Sequence, residues 1–338
     1  MLTSSVITVL VYCTVSGFAL RNVEGTKPIL QKTIEALFMD RTETIYPGTC
    51  KVFVSSMKQA KMCKKEPSLP KIIQRAKNQA IKACNDTFQF DRWNCSLYFN
   101  KPRKSIFKKI YRETAFVYAL MSASMTHGIS RGCASGELAR CSCLGRSKNS
   151  SWETKDCGDD FKYGKRLTKN FFDMKHAGTD QIGEILKQDI NIGMDSIGEQ
   201  LKEVCKCHGF SGSCTTKTCW RRLGPFNSAM GLLKKHYHHA VKKKFVNFTT
   251  KRAITPKVRR KMQKERKNLV YLQKTPNLCV STKGRVCKDR HNCATLCCGR
   301  GYSVAKKFVS TKCKCKMVDC CAVKCETCVE EIETFRCK

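Results

Sequence analysis

The sequence predicts an α+β chain in two parts, a helical N-terminal region followed by a small cystine-rich β region. Three observations carry this. Apolar residues recur at helical spacing at several places between residues 70 and 204. Cysteines crowd the other end, where twelve of the chain's 25 fall in the last 60 residues. A piece of that length buries little core, so cross-links must hold it. Between the two runs lies a basic stretch, 234–267, with 14 Lys and Arg against one acid, Glu265. The predicted parts are a leader at 1–19, a helical domain at 20–250, a basic linker at 251–272 and a cystine-rich domain at 273–338.

The leader is read from residues 6–15, an apolar run that suits a signal peptide and is too short to span a bilayer. Gly17 and Ala19 supply the small residues of a cleavage site before Leu20. Removing the leader removes Cys13 and leaves 24 cysteines, an even number that full pairing requires. Sequons at Asn85, Asn94, Asn149 and Asn247 suit an exported glycoprotein. No later stretch is apolar enough to cross a membrane, so the mature chain is expected to be released into the extracellular space. With 64 Lys and Arg against 27 Asp and Glu, the net charge is +37, which favours a polyanion as partner. The leader argues against nucleic acid and leaves anionic membrane or sulfated glycan.

The elements follow in order. Residues 70–84 place Ile72, Ile73, Ala76, Ala80, Ile81 and Ala83 near one helical face. Ser105 is the expected N-cap of a long second helix. That helix is apolar nearly all round from Ala115 to Ala123, the mark of a central core helix. Residues 159–175 and 193–204 are further expected helices, the second from Ile197, Leu201 and Val204. Residues 205–220 hold four cysteines, two glycines and no helical period, and read as a disulfide-pinned hairpin. The basic stretch is expected to contain helical pieces, and the last part to be short strands between cysteines.

The cysteine pattern includes two C-x-C pairs, Cys205/Cys207 and Cys313/Cys315, and the adjacent pairs Cys297-Cys298 and Cys320-Cys321. Structural zinc sites favour wider C-x₂₋₄-C spacing, so disulfides are expected and no metal. Each member of a C-x-C pair is expected to take a different partner, building a ladder of cross-links along a two-stranded finger. Within Cys207–Cys214, Gly209-Phe-Ser211-Gly-Ser213 is close to the G-x-S-x-G turn of hydrolases, but its last position is Ser213. A hydrolase using Ser211 and His208 is one reading. The other is a tight exposed turn that displays the Ser211 hydroxyl for modification.

The segment Cys205-Lys-Cys-His-Gly-Phe-Ser-Gly-Ser-Cys-Thr-Thr-Lys-Thr-Cys-Trp220 resembles the signature of the Wnt family of secreted morphogens. Further blocks resemble that family in the right order: Arg92-Trp-Asn-Cys-Ser96, Arg112-Glu-Thr-Ala-Phe116, Asn268-Leu-Val-Tyr-Leu272, Gly284-Arg-Val-Cys287 and Leu296-Cys-Cys-Gly-Arg-Gly-Tyr302. The resemblance covers essentially the whole mature chain. The Arg112–Phe116 block resembles the Wnt-nine subfamily.

The resemblance implies a disulfide-rich two-domain Wnt fold and a signalling ligand, not an enzyme. It implies no cofactor, but a palmitoleoyl ester on Ser211, attached by a membrane O-acyltransferase and shielded by a lipid-binding carrier. The receptor would be the Frizzled cysteine-rich domain, gripped by Phe210, Ser211 and Gly212 on one side and Cys320, Cys321, Ala322 and Val323 on the other. An LDL-receptor-related co-receptor is implied as well. The implied pairings are Cys84–Cys95, Cys133–Cys141, Cys143–Cys157, Cys205–Cys219 and Cys207–Cys214. Further on they are Cys279–Cys298, Cys287–Cys293, Cys297–Cys337, Cys313–Cys328, Cys315–Cys325 and Cys320–Cys321, with Cys50 and Cys63 left for each other. From charge, Lys242, Lys243, Lys244, Arg259, Arg260 and Lys261 are expected to bind heparan sulfate proteoglycans. Two departures stand out. Asp319 occupies the place where Wnts usually have Trp, which removes an aromatic anchor and adds a charge. The run Asp189-Ile-Asn-Ile-Gly-Met lacks the usual His-Asn-Asn-Glu-Ala-Gly, and a differently built local helix is expected there.

Overall fold

The computed structural model describes residues 29–39, 56–99, 105–141, 153–155, 158–177, 180–244, 267–318 and 322–338. The leader, Cys50, Cys143, Cys157, Asn149, Asn247, Arg259, Arg260, Lys261, Asp319, Cys320 and Cys321 lie outside them.

Seven helices lie among the described residues of the N-terminal part: α1 (Ile29–Met39), α2 (Met57–Lys65), α3 (Leu69–Phe88), α4 (Arg112–Ala134), α5 (Phe161–Phe171), α6 (Gln181–Gly198) and α7 (Phe226–His238). The centre is α4. Every residue from Glu113 to His127 is buried, so the all-round apolar pattern predicted its place. Around it pack α3, α5, α6 and α7. Gly193 lets α6 come close, because a Cβ there would stand 2.0 Å from the Ala119 carbonyl oxygen. Ser122 Oγ bonds the Ile190 carbonyl across the same contact at 2.9 Å. The run around Asp189, expected to be built differently, is an uninterrupted stretch of α6.

The start of α4 differs from expectation. Ser105 does cap a turn, accepting from the Phe107 amide, but only a single 3₁₀ turn over Ile106–Lys108. The helix restarts at Arg112, where the Thr114 hydroxyl accepts the Tyr111 amide at 3.2 Å. That hydroxyl also donates to the Ile106 carbonyl, tying the turn to the helix. The helix expected at 193–204 stops at Gly198; Leu201 and Val204 belong to a strand, β2 (Leu201–Cys207). Their spacing matched a helical face, but Leu201 pairs with Leu223 and Val204 with Trp220 across the sheet. Tertiary pairing overrode the local period.

The basic stretch begins as α7 and then extends as β4 (Val241–Lys242), which pairs in parallel with β5 (Val270–Tyr271). Leu269, Val270 and Leu272 are buried against the helices. The expected linker, 251–272, therefore ends inside the helical body, and the chain leaves that body only after Leu272. Asp189 Oδ1 accepts the Val270 amide at 2.8 Å, while its buried Oδ2 has no partner among the described residues. Burial holds this carboxyl well above the usual range, against the opposing Val270 N–H and Lys243.

The C-terminal part has β6 (Val286–Cys287), α8 (Arg290–Leu296), β7 (Tyr302–Val318) and β8 (Ala322–Cys337), with sheet order β6-β8-β7. Instead of short strands, two long ones form one ribbon. Its core is small: Leu296 and Phe335 with Cys287, Cys293, Cys297 and Cys337, flanked by Tyr302. The two parts are joined through main-chain acceptors. Arg285 donates to the Gln89 and Arg92 carbonyls, Arg92 Nε to the Thr295 carbonyl, and Asn292 Nδ2 to the Phe90 carbonyl. Thr275 Oγ1 donates to the buried Glu113, which also accepts from Tyr237.

Candidate functional site: two cross-linked hairpins

Two hairpins leave this body. The first is β2 against β3 (Lys217–Leu223), antiparallel, running from the Leu201–Leu223 pair out to the Cys207–Lys217 pair. Cys205 and Cys219 face each other directly and are bonded; Cys207–Cys214 closes the tip. The C-x-C expectation holds here, since each cysteine has its own partner.

The base is fixed by groups that sequence reading did not single out. The Asp159 carboxylate accepts the Leu223 amide at 2.6 Å, and the Asp159 amide donates to the Arg221 carbonyl at 2.8 Å. A parallel strand, β1 (Glu153–Lys155), pairs with Lys217–Cys219. Leu223 and Phe226 sink into the helical core, and His127 Nε2 of α4 bonds the Gly224 carbonyl at 3.2 Å. Burial pushes the His127 imidazole below its ordinary range; the Gly224 carbonyl opposes this and Arg131 adds to it.

At the tip, Phe210–Gly212 make one 3₁₀-like turn. Ser211 and Gly212 both stand in left-handed backbone, with φ of 54° and 78°. Gly212 adopts this freely; Ser211 adopts it at a steric cost that the closed turn imposes. Gly209 serves another need: a Cβ there would stand 2.1 Å from Ser213 Oγ and 2.5 Å from the Ser213 carbonyl oxygen. The Gly209 amide donates to that same carbonyl at 2.8 Å. Phe210 is 94% exposed, and Ser211 and Gly212 are exposed with it. Among the described residues, nothing hydrogen-bonds the Ser211 hydroxyl. No base among them stands within hydrogen-bond reach of it in the way a nucleophilic serine requires.

The second hairpin is the β7/β8 ribbon. It pairs from Tyr302–Cys337 at the root to Val318–Ala322 near the tip. Its rungs are Cys313–Cys328 and Cys315–Cys325, with a register shift between Cys313 and Lys316 and left-handed backbone at Lys314. Met317 and Val323 form an exposed apolar pair beside the tip, 73% and 65% accessible.

Nine of the expected bridges are present among the described residues. Besides the four in the hairpins, Cys287–Cys293 and Cys297–Cys337 stand at the ribbon's root, and Cys279–Cys298 ties the turn before β6 to the end of α8. The other two, Cys84–Cys95 and Cys133–Cys141, lie in the helical part. Cys63 is disulfide-bonded as well. Asn85 and Asn94 are exposed. Lys242 and Lys244 are exposed on the β4 segment, where the Lys243 amide donates to Tyr271 and the Lys244 carbonyl accepts from Gln181.

A sequence profile of the wnt family matches residues 51–338, most of the chain. The chain belongs to the Wnt family. It is 37% identical to Wnt-4 of Drosophila melanogaster over 92% of its own length and 59% of that protein's. It is 33% identical to human Wnt-9b over 86% of its length and 85% of that protein's. Among solved structures it resembles human WLS in complex with WNT8A, with a TM-score of 0.58 and 27% identity, covering 81% of this chain and 96% of the other. The relatives span several subfamilies, and the Wnt-nine likeness does not single one out. Wnt family members are secreted signalling ligands, not enzymes. Among the described residues, no helix is long and apolar enough to cross a membrane.

The Wnt blocks now have physical roles. Trp93 is buried among Phe88, Phe116 and Tyr237, with Nε1 donating to the Ser96 carbonyl. Arg112 lies over the rings of Tyr237 and Tyr271, and Glu113 receives Tyr237 and Thr275. These blocks join the two parts, while the signature at 205–220 builds a hairpin.

Proposed function

We propose that this Wnt is a secreted ligand that carries a palmitoleoyl ester on the Ser211 hydroxyl and binds the Frizzled cysteine-rich domain. The observation that carries the reading is the bare, cross-linked tip at Phe210–Gly212, which presents an exposed hydroxyl. An acyl chain contributes about 0.8 kcal/mol per buried CH₂, so a receptor groove gains on the order of 10 kcal/mol gross from a full tail. Phe210 and Gly212 flank the ester in that contact. The other contact is the ribbon end, where Ala322 and Val323 follow Cys320 and Cys321, and Asp319 makes it more polar than a tryptophan would.

A tail of that kind is costly in water, so a membrane O-acyltransferase and a lipid-binding carrier belong to its secretion. The similar WNT8A structure was solved with WLS, which supports a partner of that type. An LDL-receptor-related co-receptor completes the signalling complex. Lys242, Lys243 and Lys244, with Arg259, Arg260 and Lys261, bind heparan sulfate. Neutralising all six shifts elution from heparin to lower salt; elution alongside wild type refutes the assignment. For the lipid, intact-mass analysis of Ser211→Ala shows loss of one acyl mass and a β-catenin or planar-polarity reporter falls silent. A wild-type protein that signals fully without an acyl mass overturns the reading.

A further inference from the structure

The C-terminal core contains an unusual contact between two cross-links. Cys287 is bonded to Cys293, and Cys297 to Cys337. Cys287 Sγ also lies 3.6 Å from Cys297 Sγ and 3.9 Å from Cys337 Sγ. The sulfurs of Cys287, Cys293 and Cys297 all fall within 4.8 Å of one another. All four cysteines are buried, packed with Leu296, Phe335 and Tyr302. A sulfur freed at Cys287 is therefore already at contact distance from the other bridge.

We propose that these two bridges act as one exchangeable thiol–disulfide unit that locks or releases the end of β8. The chemistry balances without an oxidant. A thiolate, from a small thiol or a protein thiol, attacks Cys293 Sγ; the Cys287–Cys293 bond breaks and its electron pair leaves on Cys287. The Cys287 thiolate then attacks Cys297 Sγ, forming Cys287–Cys297, and the electron pair leaves on Cys337, which takes up a proton. Attack on Cys337 instead forms Cys287–Cys337 and expels Cys297. Each step makes one disulfide and breaks one.

The first outcome has a structural consequence. Cys337 ends β8, and Phe335 two residues earlier fills the small core. With the bridge to Cys297 gone, β8 is held there by the Cys337 amide donating to the Arg285 carbonyl, by the Gly284 amide donating to the Cys337 carbonyl, and by non-covalent pairing with β6 and β7. The root of the long ribbon is then free to fray. Burial keeps the unit silent in the native state, because it excludes outside thiols and disfavours the thiolate. In the wild-type protein, exchange begun by an outside thiol is confined to conditions that open the chain end, whereas a thiol freed at Cys287 needs no such opening.

Full-length Cys293→Ser supplies the attacking thiol from within. The purified protein is quenched in acid, alkylated and mapped by non-reducing peptide mass analysis. The expected result is that Cys287–Cys297 and Cys287–Cys337 peptides together outweigh peptides with alkylated Cys287. Cys95→Ser serves as the control: it frees the buried Cys84 in the helical part, away from the four-cysteine core, and Cys84 stays a free thiol. If Cys287 remains alkylated and Cys297–Cys337 intact, the proposal is wrong. Should Cys293→Ser fail to fold, wild-type protein is partly reduced with dithiothreitol and trapped in acid. Cross-pairs among the four cysteines are expected, and purely native pairs with alkylated remainders overturn the unit.

Discussion

The two hairpins share a plan and rest on different foundations. Each is an antiparallel pair with two disulfide rungs. The β2/β3 hairpin is seven residues a side and its root is sunk in a helical core of large side chains: Phe116, Phe226 and Leu223 are each 3% exposed or less. The β7/β8 ribbon is 17 and 16 residues a side, and its root stands on Leu296, Phe335 and four bonded cysteines. The first hairpin is positioned by burial, the second by covalent bonds. The stabilisation from burial scales with the surface removed from water, so a large helical body can fix a hairpin with a few polar ties at its base. A piece too small to do that replaces area with cross-links.

The comparison can be broken from the C-terminal side with the largest effect. Replacing Cys297 and Cys337 together by Ser should cost about 2–5 kcal/mol of C-terminal stability. Hydrogen exchange should show β7 and β8 losing protection while β2 and β3 keep theirs. Equal loss in both hairpins would mean that the two foundations are one.

A smaller effect is expected at the base of the first hairpin. Asp159→Ala leaves the buried Leu223 amide without its acceptor, at a cost of about 1–3 kcal/mol. Exchange should quicken at Leu223 and its neighbours, and the C-terminal ribbon should not respond. Protection unchanged at Leu223 would show that β1 and the core hold the base without the clasp.

The smallest effect is one of slope. The Asp189 carboxyl is raised well above its unfolded value by burial, so its contribution to stability is fully present below the unfolded pKa. That contribution is lost as pH rises through the folded pKa. Tm should therefore fall with rising pH in wild type more than in Asp189→Asn, which keeps an acceptor for the Val270 amide. Parallel Tm curves would remove Asp189 from the account of how β5 is clasped to the helical body.

The legible parts of the molecule were those set by local pattern. The all-round apolar run at 115–123 marks a helix with no solvent face, and α4 has none there. The glycines and cysteines of 205–220 mark a closed turn, because few other residues permit it. The misread parts were those where two patterns coincide. Leu201 and Val204 fit a helical period and a strand equally, and only their partners Leu223 and Trp220 decide between them. Ser105 is a good cap, but nothing local says that its helix lasts a single turn. At the candidate site, the exposed turn that displays Ser211 is marked by its neighbours in sequence. Asp159 was not, since a lone Asp 64 residues before its partner carries no local signal.

By itself, then, the chain's order of residues determined which segments are helical and central, which loop is pinched shut by its own cysteines, and that the C-terminal part must rely on bridges. Period, turn chemistry and cysteine density act over a few residues and can be read there. The tertiary structure alone decided that the segment after the basic stretch returns to α6 and that Asp159 clamps the hairpin. It alone decided that the sulfurs of Cys287 and Cys297, belonging to different bridges, touch. Those are contacts between groups far apart in sequence or unmarked by spacing, and their energies come from burial and geometry that exist only once the chain is packed.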